Sequence, residues 1–388
     1  MPSENLKHCI EILEHLIGIV SLPGQPTRDI IDYINQYLAT HNIQSSLSFD
    51  QSGERANLLA TIGPGYTGGV ILNGHTDVVP VDGQNWTTDP FVLTQKDQRL
   101  YGRGTVDMKG FLACMLASVG SWKNANLRKP IHLAFTFDEE IGGFGMPVLL
   151  DSMATLNIKP SAVIVGEPTE CKIITGHKGG FEMRTEIIGH EVHSCDPELG
   201  VSAISVAAAL IAKIEETGKR FSDNPVADSP FQPPYSTFNI GTIEGGMARN
   251  ATAGWCNFNW ELRQMPGEDG DKIISEIKTY AANVLLPKMR AVSSKADIRI
   301  ITEAPVPPLN DSNADEAATL VSQITGRNSR GVVSFGSDAG YFSNAGFSTV
   351  LYGPGSISRA HKPDEYIEID ELAQGLDFMR KLEQHLSK

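Results

Sequence analysis

Short apolar runs alternate with amphipathic segments through the first 178 residues of the chain. Apolar residues recur at helical spacing over about 4–20, 26–41 and 107–121. Three compact apolar runs are typical of buried strands, namely Val70–Asn73, Ile131–Phe137 and Ala162–Val165. Strands that alternate with amphipathic helices predict an α/β fold, with a mostly parallel sheet covered by helices on both faces.

Between residues 179 and 304 the pattern changes to longer strands with two helices. We predict strands over 180–188, 236–243, 253–262 and 296–303, and helices over 200–217 and 270–286. The order β-α-β-β-α-β is that of a small α+β, ferredoxin-like domain inserted into the larger one. Residues 221–235 are rich in proline, serine and aspartate, and we expect a long surface loop there.

The first pattern returns after residue 305, with a helix over about 314–326, a strand over 348–352 and a final helix near 370–386. We therefore expect a catalytic domain in two parts, residues 1–178 and 305–388, separated by a lid domain over 179–304. A chain of 388 residues, 41% of them hydrophobic, is long enough to form more than one core.

Composition and charge exclude several classes of function. The formal net charge is -14, and no cluster of five or more lysines and arginines occurs, so a nucleic-acid or anionic-membrane partner is not expected. No apolar run reaches the ~20 residues of a membrane span. The five cysteines are scattered without C-x-x-C spacing, which argues against a disulfide framework and fits a cytoplasmic protein.

Ionisable residues follow each of the predicted strands that form the first domain. His75 and Asp77 come after the first strand, Glu139 and Glu140 after the second, and Glu167 after the third. His361 follows the strand at 348–352. Ligand sites of open α/β sheets lie beyond the carboxyl ends of the strands, so these residues are expected to share one site.

Asp107 is a further candidate, because it lies in a glycine-rich turn just before an amphipathic helix. Taken alone, it would be interpreted as an acid that stabilises the amino end of that helix. A histidine and carboxylate ligand set without cysteine suits zinc, cobalt or manganese, with zinc the default ion of hydrolases.

Two divalent ions would be held if Asp107 bridges them, one bound also by His75 and Glu167, the other by Glu140 and His361. Three carboxylates against two dications leave one positive charge, which suits the activation of a water molecule at neutral pH. Asp77 would orient the ring of His75.

Glu139 and Glu140 are adjacent at a predicted strand end, where neighbouring side chains point to opposite sides. One glutamate can therefore bind metal while Glu139 acts as the general base. The alternative is an acidic loop of solvated glutamates. No P-loop or G-x-S-x-G motif competes with this interpretation.

Four motifs resemble, in order and spacing, those of the M20 family of metallopeptidases and amidohydrolases. They are Gly74-His75-Thr76-Asp77-Val78-Val79-Pro80, Gly102-Arg103-Gly104-Thr105-Val106-Asp107-Met108-Lys109-Gly110, Asp138-Glu139-Glu140 and Gly166-Glu167-Pro168-Thr169. The similarity covers nearly the whole chain. It implies two zinc ions, for which cobalt can substitute, on the ligands proposed above, with Glu139 as base and a lid that pairs two subunits into a homodimer.

Three lid residues match family positions that contact the substrate or the tetrahedral intermediate: His193, Asn250 and Arg263. His193 would donate a hydrogen bond to the developing oxyanion, in its own or the neighbouring subunit, and Arg263 would bind a substrate carboxylate. The alternative for each is a salt bridge or a cap within the lid.

The resemblance implies a small N-acyl amino acid as substrate, and the specific expectation is removal of the acetyl group from N2-acetyl-L-ornithine. Sister activities on an N-succinyl diamino acid, another N-acyl amino acid or a dipeptide stay open. A metal-binding protein without activity is a further alternative, but Glu139 argues against it, because a binding protein needs ligands and no base. Residues 336–340 depart from the pattern, since Ser337-Asp338 stands where many similar proteins have Thr-Glu.

Overall fold

The computed structural model describes residues 3–388, so the first two residues of the predicted catalytic segment 1–178 lie outside the described part. The α-helices are α1 (Glu4–Gly18), α2 (Arg28–Thr40), α3 (Gly110–Asn124), α4 (Gly145–Thr155), α5 (Ala203–Ser222), α6 (Gly270–Tyr280), α7 (Leu286–Val292), α8 (Asp315–Thr325), α9 (Ala339–Asn344) and α10 (Ile369–Leu386). The strands are β1 (Ser45–Phe49), β2 (Ala56–Ile62), β3 (Val70–His75), β4 (Thr94–Lys96), β5 (Arg99–Tyr101), β6 (Ile131–Thr136), β7 (Ala162–Val165), β8 (Ile173–His177), β9 (Gly179–Ile188), β10 (Thr237–Gly245), β11 (Trp255–Gln264), β12 (Asp297–Val306), β13 (Arg330–Val333), β14 (Thr349–Leu351) and β15 (Tyr366–Glu368).

Two compact units make up the chain. The first consists of Met1–His177 and Leu309–Lys388, and the second of Lys178–Pro308. Among residues 3–388, no helix combines the length and the apolar character that crossing a membrane requires.

The first unit is built on an eight-stranded sheet with the order β1-β2-β6-β3-β7-β14-β8-β13. The central pairs β6/β3, β3/β7 and β7/β14 are parallel, as is β8/β13 at one edge. Antiparallel pairs occur at β1/β2, β2/β6 and β14/β8. The predicted mostly parallel sheet is therefore confirmed for its centre, where β3, β6 and β7 end side by side.

Helices cover both faces of this sheet, as predicted. Because side chains alternate along a strand, Leu72 packs into the core beneath α1, α2, α3, α8 and α10, whereas its neighbour Ile71 packs into the core beneath α4 and α9. Strands buried on both faces need apolar residues at nearly every position, which explains their continuous apolar runs.

The second unit is a four-stranded antiparallel sheet with the order β10-β11-β9-β12, and its helices are α5, α6 and α7. The predicted order β-α-β-β-α-β is confirmed. The helix predicted over 270–286 is in fact divided, with α6 ending at Tyr280, a wider turn following, and α7 running on to Val292. Pro287 lies at the start of α7, where its missing N–H costs no helical hydrogen bond.

The loop predicted over 221–235 is shorter at its beginning, because α5 continues to Ser222. The rest of the loop is held by Lys178, whose Nζ donates to the backbone oxygens of Pro233 and Tyr235, both at 2.8 Å. The side chain of Lys178 is buried, so these two bonds satisfy a cation that water scarcely reaches.

Candidate metal centre and active site

His75 ends β3 and is buried at the carboxyl edge of the sheet. Its Nδ1 lies 2.9 Å from the backbone oxygen of Asp77, to which it donates a hydrogen bond in the neutral ring. That bond occupies Nδ1, so Nε2 is the atom that faces Asp107 Oδ1 at 3.0 Å and Glu167 Oε1 at 3.8 Å; it donates to Asp107 when it carries a proton, and its lone pair would bind a metal ion when it does not. A ring held in this tautomer is a typical metal ligand.

Asp107 lies between two histidines. Its Oδ1 faces His75, and its Oδ2 lies 3.2 Å from His361 Nε2. The residue lies outside α3, which begins only at Gly110, in a distorted π-helical turn over Thr105–Lys109 where its own angles, φ -128° and ψ 94°, are extended. The predicted start of a helix at residue 107 is therefore wrong, and so is the interpretation of Asp107 as an acid of its first turn.

Glu140 contacts the second histidine, with Oε2 3.1 Å from His361 Nε2. The other oxygen of Glu140, Oε1, is buried without a hydrogen-bond partner among the described residues. A buried carboxylate oxygen without a donor is costly unless a cation satisfies it. This unsatisfied oxygen shows that the residues fit a bound metal ion.

Glu139 and Glu140 lie in a short 3₁₀ helix, Glu139–Ile141, which follows β6. The expectation of a strand end with side chains on opposite sides is therefore wrong. Both carboxylates nevertheless reach the site, because one ligand atom each of His75, Glu139 and Glu167 lie within 4.8 Å of one another, as do those of His75, Asp107 and Glu140. Two overlapping sets of possible ligands thus share His75.

Glu167 follows β7 after Gly166 and is buried. A Cβ atom at Gly166 would lie 2.0 Å from the ring of Phe111, so only glycine allows the backbone to pass α3 at this point. The close approach places Glu167 beside His75.

Electrostatic effects in the site are large because the charged groups are buried together. Burial alone would lower the pKa of His75, but the hydrogen bond with Asp107 and the nearby carboxylates raise it well above its usual value. Burial, together with neighbouring carboxylates, raises the pKa of Glu139 and of Glu167 well above the usual range. Divalent cations would offset this repulsion, because positive charge favours the ionised carboxylate.

Several buried charged residues near the site were not predicted. Asp338 is buried, its Oδ2 accepts a hydrogen bond from Thr136 Oγ1 at 2.6 Å, and burial raises its pKa to about 6. Glu365 and Arg103 form a buried ion pair at 2.6 Å. The only signals in the sequence are the position of Arg103 inside a quoted motif and that of Asp338 at the departure from the pattern.

The three lid candidates lie in the second unit. His193 and Asn250 are exposed and lie on neighbouring segments, since Ser194 N–H donates to the Asn250 backbone oxygen at 3.0 Å. The Nδ1 atom of His193 accepts a hydrogen bond from Cys195 N–H at 3.3 Å. Arg263, on β11, pairs with Glu261 at 2.7 Å, which is the salt bridge of the alternative interpretation.

Comparison with known proteins adds to this geometry. The sequence profile described as peptidase family M20/M25/M40 matches residues 71–385. An acetylornithine deacetylase of Buchnera aphidicola subsp. Acyrthosiphon pisum (strain Tuc7) is 32% identical over 368 residues, which are 92% of this chain and 93% of that protein. The chain belongs to this peptidase family. As an M20 protein it is a metal-dependent hydrolase that acts on amide bonds.

Solved structures of M20 proteins have the same fold. The metallo-carboxypeptidase Sso-CP2 of Sulfolobus solfataricus superimposes with a TM-score of 0.74 at 18% identity, and the match covers 100% of both chains. The YXEP protein of Bacillus subtilis, a dinuclear metal-binding peptidase of the M20 family, gives a TM-score of 0.67 at 14% identity over 98% of this chain and 97% of that one. At these identities the likeness concerns the fold alone.

Proposed function

We propose that this M20 protein removes the acetyl group from N2-acetyl-L-ornithine, giving L-ornithine and acetate, as a step of arginine biosynthesis. The observation that carries the proposed chemistry is Asp107, whose two carboxylate oxygens face two different histidines, His75 and His361. The substrate is proposed from the similarity to an acetylornithine deacetylase over nine tenths of both chains.

Two zinc ions are the proposed cofactors, with cobalt as a possible substitute. His75 and Glu167 would hold one ion, Glu140 and His361 the other, and Asp107 both. When bound, they would supply Lewis-acid activation of a water molecule and of the acyl oxygen. The unsatisfied Glu140 Oε1 and the crowding of buried carboxylates support this assignment.

Glu139 is the proposed general base. Its carboxylate lies near His75 and Glu167, whereas that of Glu140 contacts His361. It would take a proton from the attacking water as the new C–O bond forms. It would then deliver that proton to the nitrogen as the C–N bond breaks, so that acetate and the free amine leave.

Residues of the second unit are proposed to bind the substrate. His193 would donate to the oxyanion, Asn250 would contact the substrate, and Arg263 would bind its carboxylate once released from Glu261. The proposed partner is a second copy of the chain, joined through the lid. In support of a dimer, β10 is an edge strand and carries the exposed apolar residue Ile243.

A cytoplasmic location is proposed because all five cysteines are free thiols. The proposed domain limits remain 1–178, 179–304 and 305–388, which differ from the limits of the compact units by one residue at the first junction (178 against 177) and by four at the second (304 against 308).

The deciding experiment compares kcat/KM of the zinc-loaded protein on N2-acetyl-ornithine, N-succinyl-diaminopimelate, N-acetyl-methionine and a dipeptide, with a chelator-treated control. We expect a clear preference for N2-acetyl-ornithine that the chelator abolishes. Preference for another compound would refute N2-acetyl-ornithine as the substrate. The proposed mechanism would then stand, and the protein would have a sister M20 activity. Absence of turnover with zinc bound would refute the proposed function.

A further inference from the structure

The two segments that carry Asp107 and His361 are joined by a hydrogen-bond network of residues outside the proposed ligand set. Glu365 is at one end of this network. Its Oε1 accepts from the backbone N–H of Val106 at 3.0 Å and from that of Asp107 at 3.2 Å. Asp107 lies in a distorted π-helical turn, Thr105–Lys109, in which its own backbone angles are not helical, so the two bonds to Glu365 hold the backbone of the central carboxylate.

Arg103 is the next residue of the network. Its Nη1 donates to Glu365 Oε2 at 2.6 Å, and its Nη2 donates to Gln84 Oε1 at 2.6 Å. The guanidinium also lies 5.2 Å from the centre of the Trp86 ring. Because Arg103 and Glu365 are almost fully buried, and the guanidinium is planar, the direction of each bond is closely defined.

Gln84 connects the network to His361. Its Nε2 donates to the backbone oxygen of His361 at 3.0 Å, while its Oε1 also accepts from Trp86 Nε1 at 3.0 Å. The amide can be oriented in one way only, because the reverse orientation would place its NH₂ group against two donors, Arg103 Nη2 and Trp86 Nε1.

The backbone of His361 requires such support. The residue has φ 63°, a left-handed conformation that a side chain with a Cβ atom adopts rarely and keeps only where its surroundings hold it. The His361 side chain is half exposed, so packing alone does not fix it. Gln84 donates to the backbone oxygen of His361 itself, and the backbone conformation of this residue determines where its imidazole ring lies.

We propose that Gln84 is a positioning residue that sets His361 relative to Asp107 through Arg103 and Glu365. This inference rests on the proposed function, because it takes His361 as a ligand of only one of the two ions. Gln84 donates directly to the backbone of His361, whereas its link to the shared ligand Asp107 runs through Arg103 and Glu365. Loss of the direct bond therefore weakens binding of the ion held by His361 more than binding of the other ion.

The test is calorimetric titration of zinc into the metal-free protein, for the wild type, Gln84→Glu and Gln84→Met. Glutamate keeps an acceptor for Arg103 and Trp86 but lacks the donor to His361, whereas methionine lacks both. Asn85→Ala, at an exposed neighbouring residue, is the matched control. We expect two binding events in the wild type and the control. In Gln84→Glu, which keeps the acceptor for Arg103, we expect one event weakened about 10-fold to 100-fold and the other unchanged. In Gln84→Met we expect the same event to be weakened at least as much.

Thermal unfolding of the metal-free variants accompanies the titration. A merely structural role would lower the unfolding temperature and weaken both events alike, and that result would overturn the inference. Two events of wild-type strength in both Gln84 variants would overturn it as well, while leaving the proposed function intact. A wild-type protein that binds no zinc would instead refute the proposed function, and this inference with it.

Discussion

Asp77 holds the backbone of Glu140: its Oδ2 accepts the N–H of that residue at 3.1 Å, and its Oδ1 accepts the N–H of Glu139 at 3.2 Å. The backbone oxygen of Asp77 binds the ring of His75, from which the carboxylate is 3.7 Å away. Asp77 was expected only to orient His75. It also joins that histidine to the turn that carries both glutamates.

Asp77→Asn is therefore expected to weaken zinc binding about 10-fold to 100-fold, which is typical of residues that support metal ligands. An amide has one acceptor oxygen, so at least one of the two backbone bonds is lost. Calorimetric titration with zinc measures the effect, with Asp82→Asn, at an exposed position, as control. Unchanged affinity would show that the turn holds its conformation without Asp77.

Glu139→Gln is expected to keep its zinc and to lose about 100-fold or more in kcat, because the amide cannot accept the proton of the attacking water. Glu140→Gln is the matched variant, and we expect it to lose zinc instead. Metal analysis and steady-state kinetics on N2-acetyl-ornithine separate the two effects. Loss of zinc from Glu139→Gln would mean that the two glutamates have exchanged roles.

Zinc is expected to stabilise the folded protein, since it would relieve the repulsion among the buried carboxylates of Asp107, Glu139, Glu140 and Glu167. At a free zinc concentration of 1,000 times Kd the gain is about 4 kcal/mol in the free energy of unfolding. Scanning calorimetry with and without chelator measures it. The same gain in Glu167→Ala would argue against this site as the origin of the effect.

His132, which is not a proposed metal ligand, provides a test of how the free energy of unfolding depends on pH. Burial lowers its pKa from 6.5 to about 4, so between these values the unfolded chain takes up a proton that the native protein refuses. Above pH 6.5 this histidine does not reduce the free energy of unfolding. Below pH 6.5 it lowers the free energy of unfolding by about 1.4 kcal/mol per pH unit, which amounts to roughly 3 kcal/mol by pH 4.

His132→Gln is therefore expected to show a flatter fall of unfolding free energy between pH 7 and pH 4, measured by urea denaturation. The comparison with wild type cancels the contributions of the other titrating groups. His190→Gln, at an exposed histidine, is the control and should follow the wild type. Parallel curves for His132→Gln and wild type would contradict the prediction.

His193→Ala is expected to lower kcat about 10²-fold to 10³-fold without loss of zinc, the usual effect of removing one donor to an oxyanion. Ser194→Ala, at the exposed residue beside it, is the control for disturbance of the loop. Full kcat in His193→Ala would exclude this histidine from the reaction.

The ends of the central strands could be predicted because a strand buried on both faces is almost continuously apolar, and the apolar run stops near the edge of the sheet. His75 is the last residue of β3, and Glu167 follows β7 after Gly166. The turn of Glu139 and Glu140 could not, because its 3₁₀ conformation depends on the carboxylate of Asp77, which is distant in sequence.

Polar and charged side chains that support the site were also beyond prediction. Glu365, Arg103, Gln84 and Asp338 follow no periodic pattern, and each is identified only by partners far away in the chain, such as Val106 for Glu365 and Thr136 for Asp338. A polar residue in a motif is compatible with a solvated position as well as with a buried pair, and burial decides between them.

The sequence by itself determined the α/β class, the inserted antiparallel domain and the residue types that can hold metal, because hydrophobic periodicity and ligand chemistry are local properties. Only the tertiary structure decided that each oxygen of Asp107 faces a different histidine and that Gln84 and Glu365 hold the backbones of the two segments. Those relationships depend on which strand and loop ends come together when the sheet forms, and contacts between distant residues leave no periodic trace in the chain.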